Sequence, residues 1–222
     1  MHKERELVPH LQRAFDLPIR ARVPLIGMVT RLVKQKGIDV LAAAIPRLLG
    51  LDIQVVLLGA GEPWAHFYFG EIAAGRRDRF ACRIGYDNRL AHLIEGGSDF
   101  FLMPSAFEPC GLNQLYSMRY GTIPIVRATG GLDDSVENFD AQRLSGDGFK
   151  FWDLTAGALF DTVGWAVHTW YHDPAGVRKL RQNGMAKRFT WEEAAGKYER
   201  LYLEAIGRRV GEERVRQIQR ER

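Results

Sequence analysis

Two cations and a glycine stand where they could hold a phosphate. In Thr30-Arg31-Leu32-Val33-Lys34-Gln35-Lys36-Gly37, Arg31 can bind two oxygens at once and Lys36 supplies a compact charge. Gly37 precedes a helical pattern whose first amides would face an anion. An isolated run of this kind is more often a solvated basic loop. A second stretch, Pro104-Ser105-Ala106-Phe107-Glu108-Pro109-Cys110-Gly111-Leu112-Asn113-Gln114-Leu115-Tyr116, places Glu108 just before a helix. The opening amides of that helix, near Gly111 and Leu112, have no partner within it. A phosphate bound there would repel the carboxylate, so Glu108 is better suited to accept hydrogen bonds from neutral hydroxyls on the same ligand, as a sugar offers. The plainer alternative is charge complementarity with the helix start, worth about 0.3 to 1 kcal/mol.

Two further loops are candidates. In Gly85-Tyr86-Asp87 an aromatic face at a strand end could stack on a base, or Tyr86 could pack on its own domain. In Ala128-Thr129-Gly130-Gly131-Leu132-Asp133-Asp134 consecutive glycines allow close backbone approach to a ligand, and a tight turn explains them equally well. His168 and His172 stand four apart, but the intervening Thr169-Trp170-Tyr171 supplies no base and no third ligand is visible, so no metal site is expected. Cys110 has no base beside it and needs only to be a small residue behind the phosphate loop.

Every one of these loops follows an apolar run. Short β-branched runs alternate with amphipathic stretches, the pattern of parallel βαβ units. Strands are expected over 23–29, 52–58, 80–84, 99–103, 122–126 and, at an edge, 149–151. Helices are expected over 38–49, 64–74, 89–94 (closed by Gly96-Gly97), 113–120, 156–171, 175–188 and 191–209. Thr155 is a plausible N-cap, and Thr190-Trp191-Glu192-Glu193 reads as a capping box. The expectation is an α/β fold with a doubly wound parallel sheet, in which ligands sit outside the carboxyl ends of the strands. Residues 1–22 read as a charged lead-in, 23–188 as the Rossmann-like domain and 189–222 as a C-terminal helix and basic tail.

Composition excludes other classes. The 222 residues are 46% hydrophobic and 26% charged, ordinary for a globular chain. No apolar run approaches the roughly 18 residues of a membrane span. Met1-His2-Lys3-Glu4-Arg5-Glu6 has no apolar core for a signal peptide, which points to the cytosol. Cys82 and Cys110 are too few for a disulfide framework and lack zinc spacing. The net charge is +4, but residues 207–222 hold six arginines against three glutamates, so the body is almost neutral. With no aromatics among those arginines to stack on bases, nucleic-acid binding is not expected and the tail reads as a solvated helix.

Taken together, the motifs resemble bacterial glycogen synthase and plant starch synthase, retaining GT-B glucosyltransferases that elongate α-1,4-glucan from a sugar nucleotide. Residues Gly27 to Gly37 are similar to the family's G-[VM]-[VI]-[ST]-R-L-x-x-Q-K-G, and Pro104 to Tyr116 to its P-S-x-F-E-P-C-G-L-x-Q-L-Y. Residues Tyr120 to Leu132 are similar to Y-G-T-x-P-[LI]-V-R-x-T-G-G-L. The likeness runs from about Val23 to about Tyr202.

The resemblance implies that Arg31 and Lys36 bind the donor diphosphate, that Glu108 holds the glucosyl hydroxyls, and that the Gly111 and Leu112 amides meet the diphosphate. It places Gly85, Tyr86 and Asn113 along the nucleotide, with Gln35, Cys110, Thr129, Gly130 and Gly131 near the site. It implies ADP-glucose as donor, a glucan end as acceptor, and no cofactor or metal. Wider relatives carry a second glutamate eight residues after the first; Tyr116 at that position follows the glycogen synthase branch. Asn113 and Ser135 stand where threonine is usual. The family's N-terminal domain, with its K-x-G-G-L loop and most of the acceptor site, has no counterpart before Val23, so the chain is expected to be the donor-binding half. The rivals are a non-catalytic nucleotide-binding module and another GT-B enzyme, such as a sugar-nucleotide epimerase or phosphorylase.

Overall fold

The computed structural model describes residues 2–211 together with 213, 216, 218 and 220, with side chains from residue 6 onward. Six parallel strands, β1 Leu25–Leu32, β2 Gln54–Gly61, β3 Phe80–Ile84, β4 Phe100–Met103, β5 Ile123–Arg127 and β6 Phe149–Phe151, lie in the order β3-β2-β1-β4-β5-β6. This is the Rossmann order, with its switch point between β1 and β4. Ile26 pairs with Phe100 on one side of β1 and with Val55 on the other.

Strand side chains alternate between two cores. Ile26, Met28, Val55, Leu57, Phe100, Leu102, Ile123 and Ile125 face one, together with α2 Ile38–Leu48 and α7 Ala156–His172. Leu25, Val56, Leu58, Phe101, Met103 and Val126 face the other, with α1 His2–Ala14 and α4 Asn88–Gly97. Burial on both faces is why the strands read as continuous apolar runs. The remaining helices are α3 Pro63–Gly75, α5 Asn113–Arg119, α6 Gly131–Ser135, α8 Pro174–Ala186 and α9 Trp191–Val210.

Three elements differ from expectation. Residues 1–22 carry α1, whose Val8 and Leu11, with Phe15 just beyond, form a buried stripe at helical spacing under a charged outer face. α4 runs through Gly96 and Gly97, because a Cβ at Gly97 would press on Leu11 of α1. The Gly130-Gly131 turn opens the short helix α6.

By contacts the chain forms two units, Met1–Lys187 and Arg188–Arg222. The second contains α9, where Thr190 Oγ1 accepts from the Glu193 amide at 3.5 Å. In the basic tail 207–222, residues 212, 214, 215, 217, 219, 221 and 222 lie outside the described residues. Among those described, no helix is long and apolar enough to cross a membrane.

Candidate active site

A cleft of about 380 Å³ opens at the carboxyl ends of β1, β2, β3 and β4. Arg31 and Lys36 line it from the β1 side, Gly85 and Tyr86 from the β3 side, and Glu108, Gly111, Leu112 and Asn113 from the β4–α5 loop. Segments drawn from residue 28 to residue 113 meet there because β1 is central and its neighbours deliver their loops to the same end.

Glycine makes that meeting close. Gly37 sits at φ 70°, and a Cβ there would run into the Pro104 carbonyl, so the loop after β1 lies directly on the loop after β4. Across this contact Lys36 Nζ donates to Glu108 Oε2 at 2.5 Å, with side chains only 18% and 8% exposed. Ser105 Oγ donates to the same oxygen at 3.2 Å. Among the described residues nothing donates to Oε1, and Glu108 is part of the cleft lining. Glu108 is thus held in place without helping to cap α5, and helix-end complementarity does not explain it.

Gln35 is not a lining residue but a tie. Its side chain accepts from Arg31 Nη2 at 3.3 Å and donates to the Phe107 carbonyl at 3.3 Å, while its carbonyl accepts from the Ala106 amide at 2.9 Å. Arg31 itself is exposed on the cleft wall. Tyr86 is 89% exposed, so packing on its own domain is not its role. Its loop turns at Gly85, φ 138°, and ends at Asp87, whose carboxylate caps α4 by accepting from the Leu90 amide at 2.9 Å.

Asn113 lines the cleft but its Nδ2 donates to the Val29 carbonyl at 2.9 Å, tying α5 to β1. Gly111, φ 73°, is stabilised by buried Gln114, whose Nε2 donates to the Cys110 and Gly111 carbonyls at 3.0 and 3.1 Å. Cys110 is exposed beside the cleft, its thiol 3.3 Å from the Gly111 carbonyl. Thr129, Gly130 and Gly131 do not line the cleft. The glycines bring α6 against the site loop instead of a ligand: the Gly131 amide donates to the Glu108 carbonyl at 2.9 Å, and a Cβ on either glycine would strike the backbone of Glu108 or Cys110.

Sequence reasoning missed Ser105 and Gln114 as site residues. Both lie inside the quoted motif, but their contacts depend on loop geometry and carry no spacing signal of their own. His168 and His172 stack at 4.2 Å on α7, and among the described residues no three metal-ligating side chains converge.

The family pattern for glycosyl transferases group 1 matches residues 12–151, more than half of the chain and every residue of the cleft. The chain belongs to this family. Among curated relatives of this group 1 transferase, glycogen synthase 1 of Geobacter metallireducens is 68% identical over 91% of the chain, and glycogen synthase of Anaeromyxobacter sp. is 53% identical over 86%. The chain spans about 40% of the length of either. The catalytic domain of starch synthase IV from Arabidopsis thaliana, solved with ADP and acarbose, superposes on 92% of the chain with a TM-score of 0.82 and 36% identity. The superposition covers 43% of that protein.

Proposed function

We propose that this chain is the donor-binding half of a glycogen or starch synthase, transferring glucose from ADP-glucose to the end of an α-1,4-glucan with retention. The observation that carries the reading is the set of groups along one cleft: an exposed aromatic at Tyr86, cations at Arg31 and Lys36, and a fixed carboxylate at Glu108 with one oxygen unbonded among the described residues. That set matches base, diphosphate and sugar. ADP is favoured as the nucleotide because starch synthase IV, at 36% identity, was solved with it.

In the proposed reaction the acceptor hydroxyl attacks the sugar carbon on the face the diphosphate leaves. Arg31 meets the departing phosphates, and Lys36 lies between them and Glu108. Both cations stabilise the growing negative charge, the part a metal ion plays in other transferases. Glu108 Oε1 holds a sugar hydroxyl while positive character builds at the reacting carbon. The reading carries with it a glucan acceptor, an N-terminal partner domain and a cytosolic location.

Binding is tested on the chain by calorimetry. Arg31→Ala should weaken ADP by about 1.5 to 3 kcal/mol and leave adenosine little changed, as expected of charge-assisted hydrogen bonds. Tyr86→Ala should cost about 1 to 3 kcal/mol for ADP and nothing for pyrophosphate. Turnover is tested with labelled ADP-glucose on the chain joined to the N-terminal half. There Glu108→Gln should lower kcat by roughly 10² to 10³ without weakening ADP. Glucan elongation by the unjoined chain would show that the half-site assignment is wrong.

A further inference from the structure

Arg127 ends β5 one residue past the last β4–β5 pair, Met103 with Val126. Beyond that pair the strands separate, and the side chain of Arg127 spans the gap. Nη1 donates to the Ala106 carbonyl at 2.8 Å and approaches that of Ser105 at 3.5 Å, while Nε donates to the Trp152 carbonyl at 3.0 Å. Arg127 is not among the residues lining the cleft, so it is not placed to touch a ligand.

The residues it grips lead to Glu108. Ser105, 2% exposed, is held by its carbonyl and sends its hydroxyl to Glu108 Oε2. On the other flank Gln35 holds the Ala106 amide and the Phe107 carbonyl. The loop 104–108 is therefore clamped from the turn after β1 and from the end of β5, and Glu108 is its last residue. Strand pairing does not need the side-chain clamp, because the β5 backbone is already laddered to β4 as far as Val126 and to β6 as far as Arg127. Nor would another cation supply it: the guanidinium directs donors to carbonyls beyond two different strands, whereas an ammonium is a single point.

We propose that Arg127 is a positioning residue for Glu108. By gripping the carbonyls of 105 and 106 from the end of β5, it sets the loop so that Ser105 and Lys36 converge on Oε2 and leave Oε1 for a sugar hydroxyl. This rests on the reading of Glu108 given above, and the test separates the two.

Arg127→Ala and Arg127→Lys are compared with Glu108→Gln in the chain joined to its N-terminal half, and ADP titration and hydrogen exchange are followed on the chain. Both Arg127 variants should lose about 10- to 100-fold in kcat while KM for ADP-glucose and Kd for ADP stay within about threefold, the signature of an interaction realised in the transition state. Amide exchange should accelerate over 105–108 and not over 38–45, and added methylguanidinium should restore part of the turnover of Arg127→Ala. Retained turnover in Arg127→Ala alongside a dead Glu108→Gln would overturn this inference alone. An active Glu108→Gln would overturn both. Loss of ADP affinity in step with kcat, or full activity in Arg127→Lys, would also end it, because Arg127 would then serve the phosphate site or act as a bare charge.

Discussion

The ion pair between Lys36 and Glu108 gives the cleft its most specific energetic signature. Each charge is mostly removed from water, so deleting one strands the other, and the cost of that exceeds the net worth of the pair. Lys36→Met and Glu108→Gln should each lower stability, and the double variant should lose less than the sum. A coupling of about 1 to 3 kcal/mol is expected from urea unfolding of the four forms. Strict additivity would mean that the two groups do not meet in solution. At this scale the sequence was legible wherever chemistry requires an unusual residue type, as at Arg31, Lys36, Glu108 and Tyr86. It was silent on Arg127, whose hydrogen bonds go to backbone carbonyls that every residue possesses, and on Ser105, whose hydroxyl reaches Glu108 only through the turn of the loop. It also gave no sign that Lys36 and Glu108, 72 positions apart, would share a proton-donating contact.

Elements place these residues through two kinds of helix start that respond differently to substitution. α2 begins at Gly37, in a left-handed conformation and in contact with the Pro104 carbonyl, so Gly37→Ala combines backbone strain with a collision. It should destabilise the chain by about 1 to 3 kcal/mol and also weaken ADP, because the Lys36 loop must lift from the Glu108 loop. α7 begins at Thr155, whose hydroxyl accepts from the Ala158 amide at 3.1 Å and which is no part of the cleft lining. Thr155→Ala should cost about 0.5 to 2 kcal/mol of stability and leave ADP affinity unchanged. Paired measurements of denaturation midpoint and ADP Kd separate the two, and an unchanged Kd in Gly37→Ala would show that the loops are not mechanically linked. The periodicity of α2 and α7 was readable because each turns one clear apolar face to the sheet. α1 was not, because its charged residues mask a narrow buried stripe, and of the glycine pair read as the stop of α4, Gly97 lies inside the helix against Leu11 of α1.

For the molecule as a whole, the two thiols give a simple measure of integrity. Cys82, on β3, has its pKa pushed up to about 12 by burial, whereas Cys110 is exposed beside the cleft. Because the thiolate is the reactive form, a disulfide reagent at neutral pH should modify exposed Cys110 faster than half-buried Cys82, whose thiol stays protonated. Two equally fast thiols in the native chain would contradict the placement of β3. The fold class was legible from the alternation of runs alone, but the strand order was not, since it depends on which face each crossover covers. That order has a consequence for synthesis. The chain emerges as β1, β2 and β3, a half-sheet in which β1 is an edge strand, bare on one side until β4 arrives to pair Phe100 with Ile26. An apolar open edge of this kind invites pairing with other chains, and closing it requires a contact distant in sequence. Glu108 and α5 come only after β4, so a polypeptide still on the ribosome has its cations in place well before it has a carboxylate to set against them.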